Sequence, residues 1–285
     1  RILSSAASDV YKRQLYKRDV MLNLALHKEE LDIYGYTVLG KVLSEQQVDF
    51  FRENLLEQKK HHVSLHGEEL LNKYGELEML RNVGSFHENY LKLVEADWLN
   101  SLINTALNEK AILHGYHGIL TNNHSNGERT LPMRFHRDAP WFKDTRTCIL
   151  VLMPLVDFTE SVGPTEVVPG THLFEKMPSE KFLEKNSHKI LIPAGHAFVM
   201  DGTLWHRAGR NISGKIRPLL QMNITLAFMK QQIDVWTTDT FVNCSDIVKS
   251  RFGYNVRKYE HPDEMFCDDR NWKSGNYDMK NTSIR

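Results

Sequence analysis

The sequence contains few cysteines, no excess of charge of either sign and no long apolar run. Its three cysteines, Cys148, Cys244 and Cys267, are far apart among 285 residues and form no C-x-x-C pair. Such sparse cysteines argue against a disulfide framework and are typical of a reducing compartment, so we expect a cytoplasmic protein. The longest apolar run, residues 148–156, is much shorter than the roughly 20 residues that cross a bilayer, so we expect no membrane partner.

The charges of the chain cancel, because 36 Lys and Arg residues balance 36 Asp and Glu residues to a formal net charge of +0. Proteins that bind a phosphate backbone usually carry an excess of positive charge, so this composition predicts no nucleic-acid partner. The apolar and charged fractions are those of an ordinary globular protein and argue against disorder of the whole chain. A small-molecule substrate is therefore the favoured partner, and the oligomeric state is left open.

The length of the chain is typical of one large domain or two small ones. Residues 1–14 read RILSSAASDVYKRQ, which resembles a translated sequencing adapter, so we expect them to be an artefact or disordered. We predict a single domain over residues 15–267, with its core in residues 31–229. The charged and weakly patterned residues 268–285 are predicted to form a loose tail.

Helix signals precede strand signals along the chain, which favours an α+β fold with a mainly β core. Ser44 and Gln47 form a predicted capping box, and Ser85 with Glu88 repeats the pattern. Four later runs alternate with Gly, Pro, Asn and Asp clusters and are predicted to be strands; they are residues 111–121, 146–158, 189–200 and 217–229. Between them, Leu173 to His188 is predicted to be an irregular, mobile loop.

The sharpest local feature is His136-Arg137-Asp138, because residues two apart in an extended segment project to the same side. Chance alone supplies about one H-x-D triplet in such a chain, and a second one stands at residues 261–263. Only the first is followed by another histidine, His206, and then by Arg217. Asp201-Gly202 is a turn signal, so His206 is expected on the returning strand of one antiparallel barrel.

Two imidazoles and one carboxylate with open positions form the facial triad of non-haem Fe(II) oxygenases. Arg217 adds a planar fork that matches the far carboxylate of a dicarboxylate co-substrate. Two other interpretations stay open: a cupin-like metal-binding isomerase, and a jelly-roll binding protein without chemistry. A zinc site built from His114, His117 and His124 is disfavoured, because their spacing matches no common structural site.

Three segments resemble the phytanoyl-CoA dioxygenase family of Fe(II)- and 2-oxoglutarate-dependent oxygenases. They are MRFHRDAPW at residues 133–141, GPTEVVPGTH at residues 163–172 and the long run of residues 194–223. The resemblance implies a double-stranded β-helix, which is a jelly-roll, cupin-like barrel, with helices outside one sheet. It also implies Fe(II) as the metal, 2-oxoglutarate as co-substrate and O₂ as the oxidant.

Within that resemblance, His136, Asp138 and His206 match the iron ligands, and Arg217 matches the arginine that binds the C5 carboxylate of 2-oxoglutarate. The chain departs from the family at Ala208, where a serine often stands. We expect His117 or Asn123 to supply the missing polar contact to 2-oxoglutarate.

The reaction that follows from the resemblance is hydroxylation of a small-molecule metabolite, with release of succinate and CO₂. Asp138 occupies the position where halogenating relatives have a small residue, so halogenation is disfavoured. The segment Leu173 to His188 is the predicted lid over the site.

Overall fold

The computed structural model describes residues 24–124, 130–233, 241 and 244–256. The predicted artefact at residues 1–14 and the predicted tail at residues 268–285 lie outside the described residues. The described helices are α1 (Leu24–Tyr34), α2 (Glu45–His66), α3 (Glu68–Tyr74), α4 (Glu88–Val94), α5 (Asp97–Ala106), α6 (Glu180–Asn186) and α7 (Asp246–Arg251). The strands are β1 (Tyr36–Lys41), β2 (Met79–Leu80), β3 (Ile112–Thr121), β4 (Cys148–Pro154), β5 (Thr165–Val167), β6 (His188–Lys189), β7 (His196–Asp201), β8 (His206–Ala208) and β9 (Arg217–Thr225).

The strands form two sheets in which every described pair is antiparallel. The large sheet has the order β1-β7-β4-β9-β3-β2, and the small sheet has the order β6-β5-β8. An isolated antiparallel bridge joins His136 to His206 beside the small sheet. This is the predicted double-stranded β-helix, and the expected α+β class with a mainly β core is confirmed.

Alternation along β9 separates two cores on the two faces of the large sheet. Leu220, Met222 and Ile224 are fully buried on the helix side, together with Phe51 and Leu55 of α2. Leu219 points the other way, into the barrel interior, where it packs with a second group of apolar side chains, Leu150, Leu152, Val167, Phe198 and Met200. Because successive side chains of a strand face opposite sides, residues 217, 219, 221 and 223 share the inner face.

The two predicted capping boxes have different outcomes. The hydroxyl of Ser44 accepts a hydrogen bond from the backbone N–H of Gln47, whose side chain accepts one from the N–H of Ser44, so this prediction is confirmed. The Ser85 prediction is wrong, because its hydroxyl donates to the carbonyl of Asn82 within a short 3₁₀ turn. His87 caps α4 instead, through a ring nitrogen that accepts from the N–H of Asn89.

The loop predicted between Leu173 and His188 is only partly irregular, because residues 180–186 form helix α6. Ser179 caps this helix and accepts a hydrogen bond from the N–H of Phe182, while Leu183 is fully buried. The predicted turn at Asp201-Gly202 also differs. The chain does not return to the same sheet there but crosses from β7 in the large sheet to β8 in the small one.

Candidate metal centre

Three side chains converge inside the barrel. The Nε2 atom of His136 lies 3.4 Å from Oδ1 of Asp138, and Nε2 of His206 lies 3.8 Å from the same oxygen. All the candidate ligand atoms lie within 4.8 Å of one another. With metal–ligand bonds of about 2.1 Å, neighbouring ligands of one ion are separated by roughly 3 Å, so small movements would bring these atoms to one metal.

Backbone hydrogen bonds orient both imidazoles. Nδ1 of His136 lies 2.7 Å from the carbonyl oxygen of Arg134, and Nδ1 of His206 lies 2.9 Å from that of Leu204. A carbonyl only accepts, so Nδ1 carries the proton in each ring, and in the neutral rings Nε2 presents its lone pair to Asp138. Two lone pairs and a carboxylate that face each other repel unless a cation lies between them. The centre is therefore built for a positive ion.

The electrostatics of the centre agree with this assignment. Burial opposes ionisation of Asp138, but the hydrogen bond from His136 and the adjacent imidazole charges outweigh it and lower its pKa. Burial lowers the pKa of His206 and thus favours the neutral, ligating form. Burial alone would also lower the pKa of His136, but Asp138 and the Arg134 carbonyl outweigh it and raise the pKa. A proton can thus occupy the place of the cation, and metal binding would release it.

Two arginine–aromatic pairs support the histidine bridge from the outer face of the small sheet. Arg137 lies over the ring of Trp205 with its Cζ atom 4.8 Å from the ring centre, and Arg207 lies 4.3 Å over Phe135. Each pair joins a neighbour of His136 to a neighbour of His206. The bridge itself has only two backbone hydrogen bonds, of 2.9 and 3.1 Å. The cross-strand pairs therefore help to set the separation of the two imidazoles.

Arg137 also holds the segment that was predicted to be a lid. Its guanidinium donates to the carbonyl oxygens of Thr171, Phe174 and Glu175. Arg207 pairs with Glu184 of α6 in the same region. Because side chains alternate, Arg137 and Arg207 point away from His136 and His206. Their contacts therefore place the predicted lid segment on the outer face of the small sheet.

Replacing Trp205 by alanine is expected to weaken Fe(II) binding by about tenfold, because groups that support metal ligands typically contribute 10–100-fold in metal affinity. Arg137→Gln should have a similar effect. Arg52→Gln is the matched control, since Arg52 makes an exposed ion pair with Asp49 on α2. Anaerobic Fe(II) titration measures the effect. Unchanged metal affinity together with lower thermal stability would show that the Arg137–Trp205 pair stabilises the fold and does not support metal binding.

Arg217 lies at the start of β9 and is 2% exposed. Its guanidinium donates to the hydroxyl of Thr121 at 2.9 Å and to the carbonyl oxygen of Gly163, and it lies over the ring of Phe158. Burial lowers its pKa to about 10, which still leaves it charged at neutral pH. Among the described residues, no carboxylate lies within ion-pair distance of it, and its buried Nε has no hydrogen-bond partner. A buried, unpaired guanidinium is a site for an anion.

Two inward-facing threonines, one beside Arg217 and one opposite Ala208, were missed by sequence reasoning. Thr121 is the direct cross-strand partner of Arg217, and Thr165 is the partner of Ala208. Thr165 shares the inward face of β5 with Val167, so its hydroxyl lies on the side where Ala208 lacks one. Strand register decides these pairings, and no signal in the sequence reports it.

The two residues expected to replace the missing serine lie at different places. His117 is buried on the inner face of β3, and its ring lies over Gly115, on the side of the strand away from Thr121. Asn123 is exposed, and its side-chain oxygen accepts from the N–H of Gly214. His117 therefore lies away from Arg217, whereas Asn123 follows Thr121, the partner of Arg217, by two residues and stays a prediction. His124 pairs with Glu78 at 2.9 Å, and the described residues hold no metal-ligand cluster other than the triad, which disfavours the zinc interpretation.

A jelly-roll barrel in which two histidines and one aspartate face one another is typical of mononuclear non-haem iron proteins. The sequence profile of the phytanoyl-CoA dioxygenase (PhyH) family matches residues 31–219, so the chain belongs to that family. Its members are Fe(II)- and 2-oxoglutarate-dependent oxygenases that use O₂, and the triad described here fits that metal. The protein is thus an oxygenase of this class.

Individual relatives agree with the family. The chain is 32% identical over 210 residues to the uncharacterized protein Rv1501 of Mycobacterium tuberculosis, covering 73% of this chain and 77% of that protein. It is 27% identical over 209 residues to dioxygenase af480 of Aspergillus fumigatus, covering 69% of this chain and 64% of that enzyme.

Solved structures show the same fold at low identity. The structure of EctD from S. alaskensis with 2-oxoglutarate and 5-hydroxyectoine has a TM-score of 0.61 at 17% identity, over 74% of this chain and 79% of that one. AviO1 from Streptomyces viridochromogenes Tue57 has a TM-score of 0.57 at 18% identity, over 73% and 96% of the two chains. Among the described residues, no helix is both long and apolar enough to span a membrane.

Proposed function

We propose that this oxygenase hydroxylates a small-molecule metabolite and releases succinate and CO₂ from 2-oxoglutarate. The observation that carries the proposal is the unpaired charge of Arg217, buried in the same barrel as the triad. His136, Asp138 and His206 would hold Fe(II), and Arg217 would bind the far carboxylate of 2-oxoglutarate. A metal-dependent isomerase or a binding module would leave this buried guanidinium without a partner, so both are less consistent with the site.

Bound Fe(II), with 2-oxoglutarate and O₂, supplies an oxidant strong enough to hydroxylate an unactivated C–H bond. The residues of the chain orient the candidate metal ligands and exclude water. The carbonyls of Arg134 and Leu204 keep Nε2 of each histidine directed at the metal position. Leu150, Leu152, Phe198 and Met200 line the barrel interior and exclude water from it.

The test of the proposal is anaerobic addition of Fe(II) and 2-oxoglutarate to the wild-type protein, followed by visible absorption. We expect the charge-transfer band of the chelate, and its absence would refute the assignment. Screening small metabolites for succinate release that depends on their presence would then identify the substrate. A metal-dependent isomerase would convert its substrate without consuming 2-oxoglutarate.

Thr165→Val is expected to raise the dissociation constant of 2-oxoglutarate by about 2–10-fold, because it removes the inward-facing hydroxyl opposite Ala208 while keeping the side-chain shape. Iron affinity should stay as in the wild type. Thr159→Val, at an exposed loop position, is the matched control. Titration of the charge-transfer band with 2-oxoglutarate measures the dissociation constant of each variant. Equal affinity in the two variants would show that Thr165 does not contact 2-oxoglutarate.

A further inference from the structure

Three polar side chains form a patch on the inner face of the large sheet, across the barrel from the small sheet that bears the triad. They are His117 of β3 and Gln221 and Asn223 of β9, which we call the polar wall. Their neighbours Tyr116, Met222 and Ile224 belong to the helix-side core, so alternation places the polar wall inside the barrel. His117 is the cross-strand partner of Gln221, and Gly115 is the partner of Asn223.

The polar wall has hydrogen-bonding capacity that the fold does not use. Nε2 of Gln221 donates to Oδ1 of Asn223 at 2.8 Å, which leaves the Gln221 oxygen as an acceptor and the Asn223 amide as a donor. His117 is 5% exposed, and its buried Nδ1 has no hydrogen-bond partner in the described part of the chain. Buried polar atoms are almost always paired, so an unpaired one on the inner face of the barrel points to a ligand.

The location of the polar wall separates it from the anion subsite. Along β3, His117 is four residues from Thr121, the partner of Arg217, which is about 13 Å in an extended strand. The ring lies over Gly115, farther still from Arg217, because Gly115 has no side chain to occupy that space. The polar wall therefore lies away from the end of the barrel that Arg217 occupies.

The side chains that face Gln221 and Asn223 favour an uncharged ligand group. Burial lowers the pKa of His117 to about 4, so the ring is neutral at neutral pH and offers a donor and an acceptor. The adjoining inner faces of β4 and β7 are apolar, with Leu150, Leu152, Phe198 and Met200. Arg81 and Glu76, whose charges also act on His117, form an ion pair with each other. A charged ligand group beside Gln221 and Asn223 would therefore lose its hydration without a free partner.

We propose that the polar wall binds an uncharged hydroxyl or amide group of the substrate, whose remaining frame is apolar and packs against β4 and β7. This inference rests on the proposed function, because it assumes that the substrate enters the same barrel. Gln221 and Asn223 would then determine specificity, and His117 would complete the hydrogen bonds of the bound group.

The experiment uses the full chain loaded anaerobically with Fe(II) and 2-oxoglutarate. Three probes that share a cyclohexane ring and differ in their polar group are added in increasing concentration, and the change in the charge-transfer band is measured. They are cyclohexanecarboxamide, cyclohexanecarboxylate and cyclohexylammonium. We expect the amide to perturb the band at a concentration at least tenfold lower than either ion. Gln221→Glu adds a negative charge to the wall and should reverse the preference, with the ammonium probe favoured by at least tenfold.

Two further variants keep the result interpretable. Asn223→Ala should reduce the preference for the amide to within about twofold while the band itself is unchanged, and it is expected to fold because Asn223 is partly exposed. Gln46→Glu, at an exposed position of α2, should keep the wild-type preference. No perturbation by any probe, equal affinity for the ions, or an unchanged preference in Asn223→Ala would overturn the inference. Failure of the wild-type band to form would instead refute the proposed function.

Discussion

His206→Ala is expected to lower Fe(II) affinity by at least about 100-fold and to abolish both the charge-transfer band and the turnover of 2-oxoglutarate. His206 is 5% exposed, and its Nε2 lies 3.8 Å from Oδ1 of Asp138. Its replacement by alanine would leave two of the three candidate ligands. Loss of a group that only supports a ligand already costs 10–100-fold in affinity, and loss of the ligand itself should cost more. Anaerobic Fe(II) titration measures the change.

His196→Ala is the matched control for this variant. His196 begins β7, is half-buried and lies outside the ligand cluster. It should retain wild-type Fe(II) affinity, whatever small loss of stability it brings. A charge-transfer band of normal intensity in His206→Ala would show that the metal is held by other residues.

Arg217→Met is expected to raise the dissociation constant of 2-oxoglutarate by about 30-fold or more while Fe(II) affinity changes little. Truncation of one partner of a buried charge pair typically costs 2–5 kcal/mol. The methionine keeps much of the apolar volume, so the barrel should still close. Separate titrations with Fe(II) and with 2-oxoglutarate distinguish the two effects, and equal loss of both would contradict the assigned role.

The same substitution should leave the free energy of unfolding of the ligand-free protein unchanged or raise it by about 1 kcal/mol. The guanidinium is buried, and no carboxylate of the described residues pairs with it. Replacing such a charge by an apolar side chain is often neutral or stabilising. Saturating 2-oxoglutarate, at about 100 times its dissociation constant, should stabilise the iron-loaded wild type by about 2.7 kcal/mol and the variant by far less. Denaturant unfolding with and without 2-oxoglutarate checks this, and a large loss of stability in the ligand-free variant would show that Arg217 is structural.

Local features of the sequence predicted local structure well. The Ser44–Gln47 box begins α2 because both of its hydrogen bonds form within one helical turn. The four strand-like runs contain β3, β4 and β9 and all of β7 except its last residue, because alternation and turn residues act over a few positions. The spacing of His136 and Asp138 placed both side chains in one centre for the same reason.

Predictions that depended on tertiary context were less successful. Ser85 has the residue type of a helix cap, but a 3₁₀ turn occupies its hydroxyl. The segment after Leu173 has a polar and irregular sequence, but the burial of Leu183 and the ion pair of Glu184 with Arg207 stabilise a helix there. The turn after Asp201 crosses between sheets because the barrel is closed by two sheets, which a two-residue signal does not report.

The sequence by itself determined the α+β class, the main strands and the residue types of a facial triad with an arginine, because each of these follows from spacing along the chain. Only the tertiary structure decided that Thr121 pairs with Arg217 and Thr165 with Ala208. It also decided that His117 lies with Gln221 and Asn223. Those neighbours are set by cross-strand register and by the direction in which each side chain points. Register depends on the packing of the whole barrel, so it has no local signature in the order of the residues.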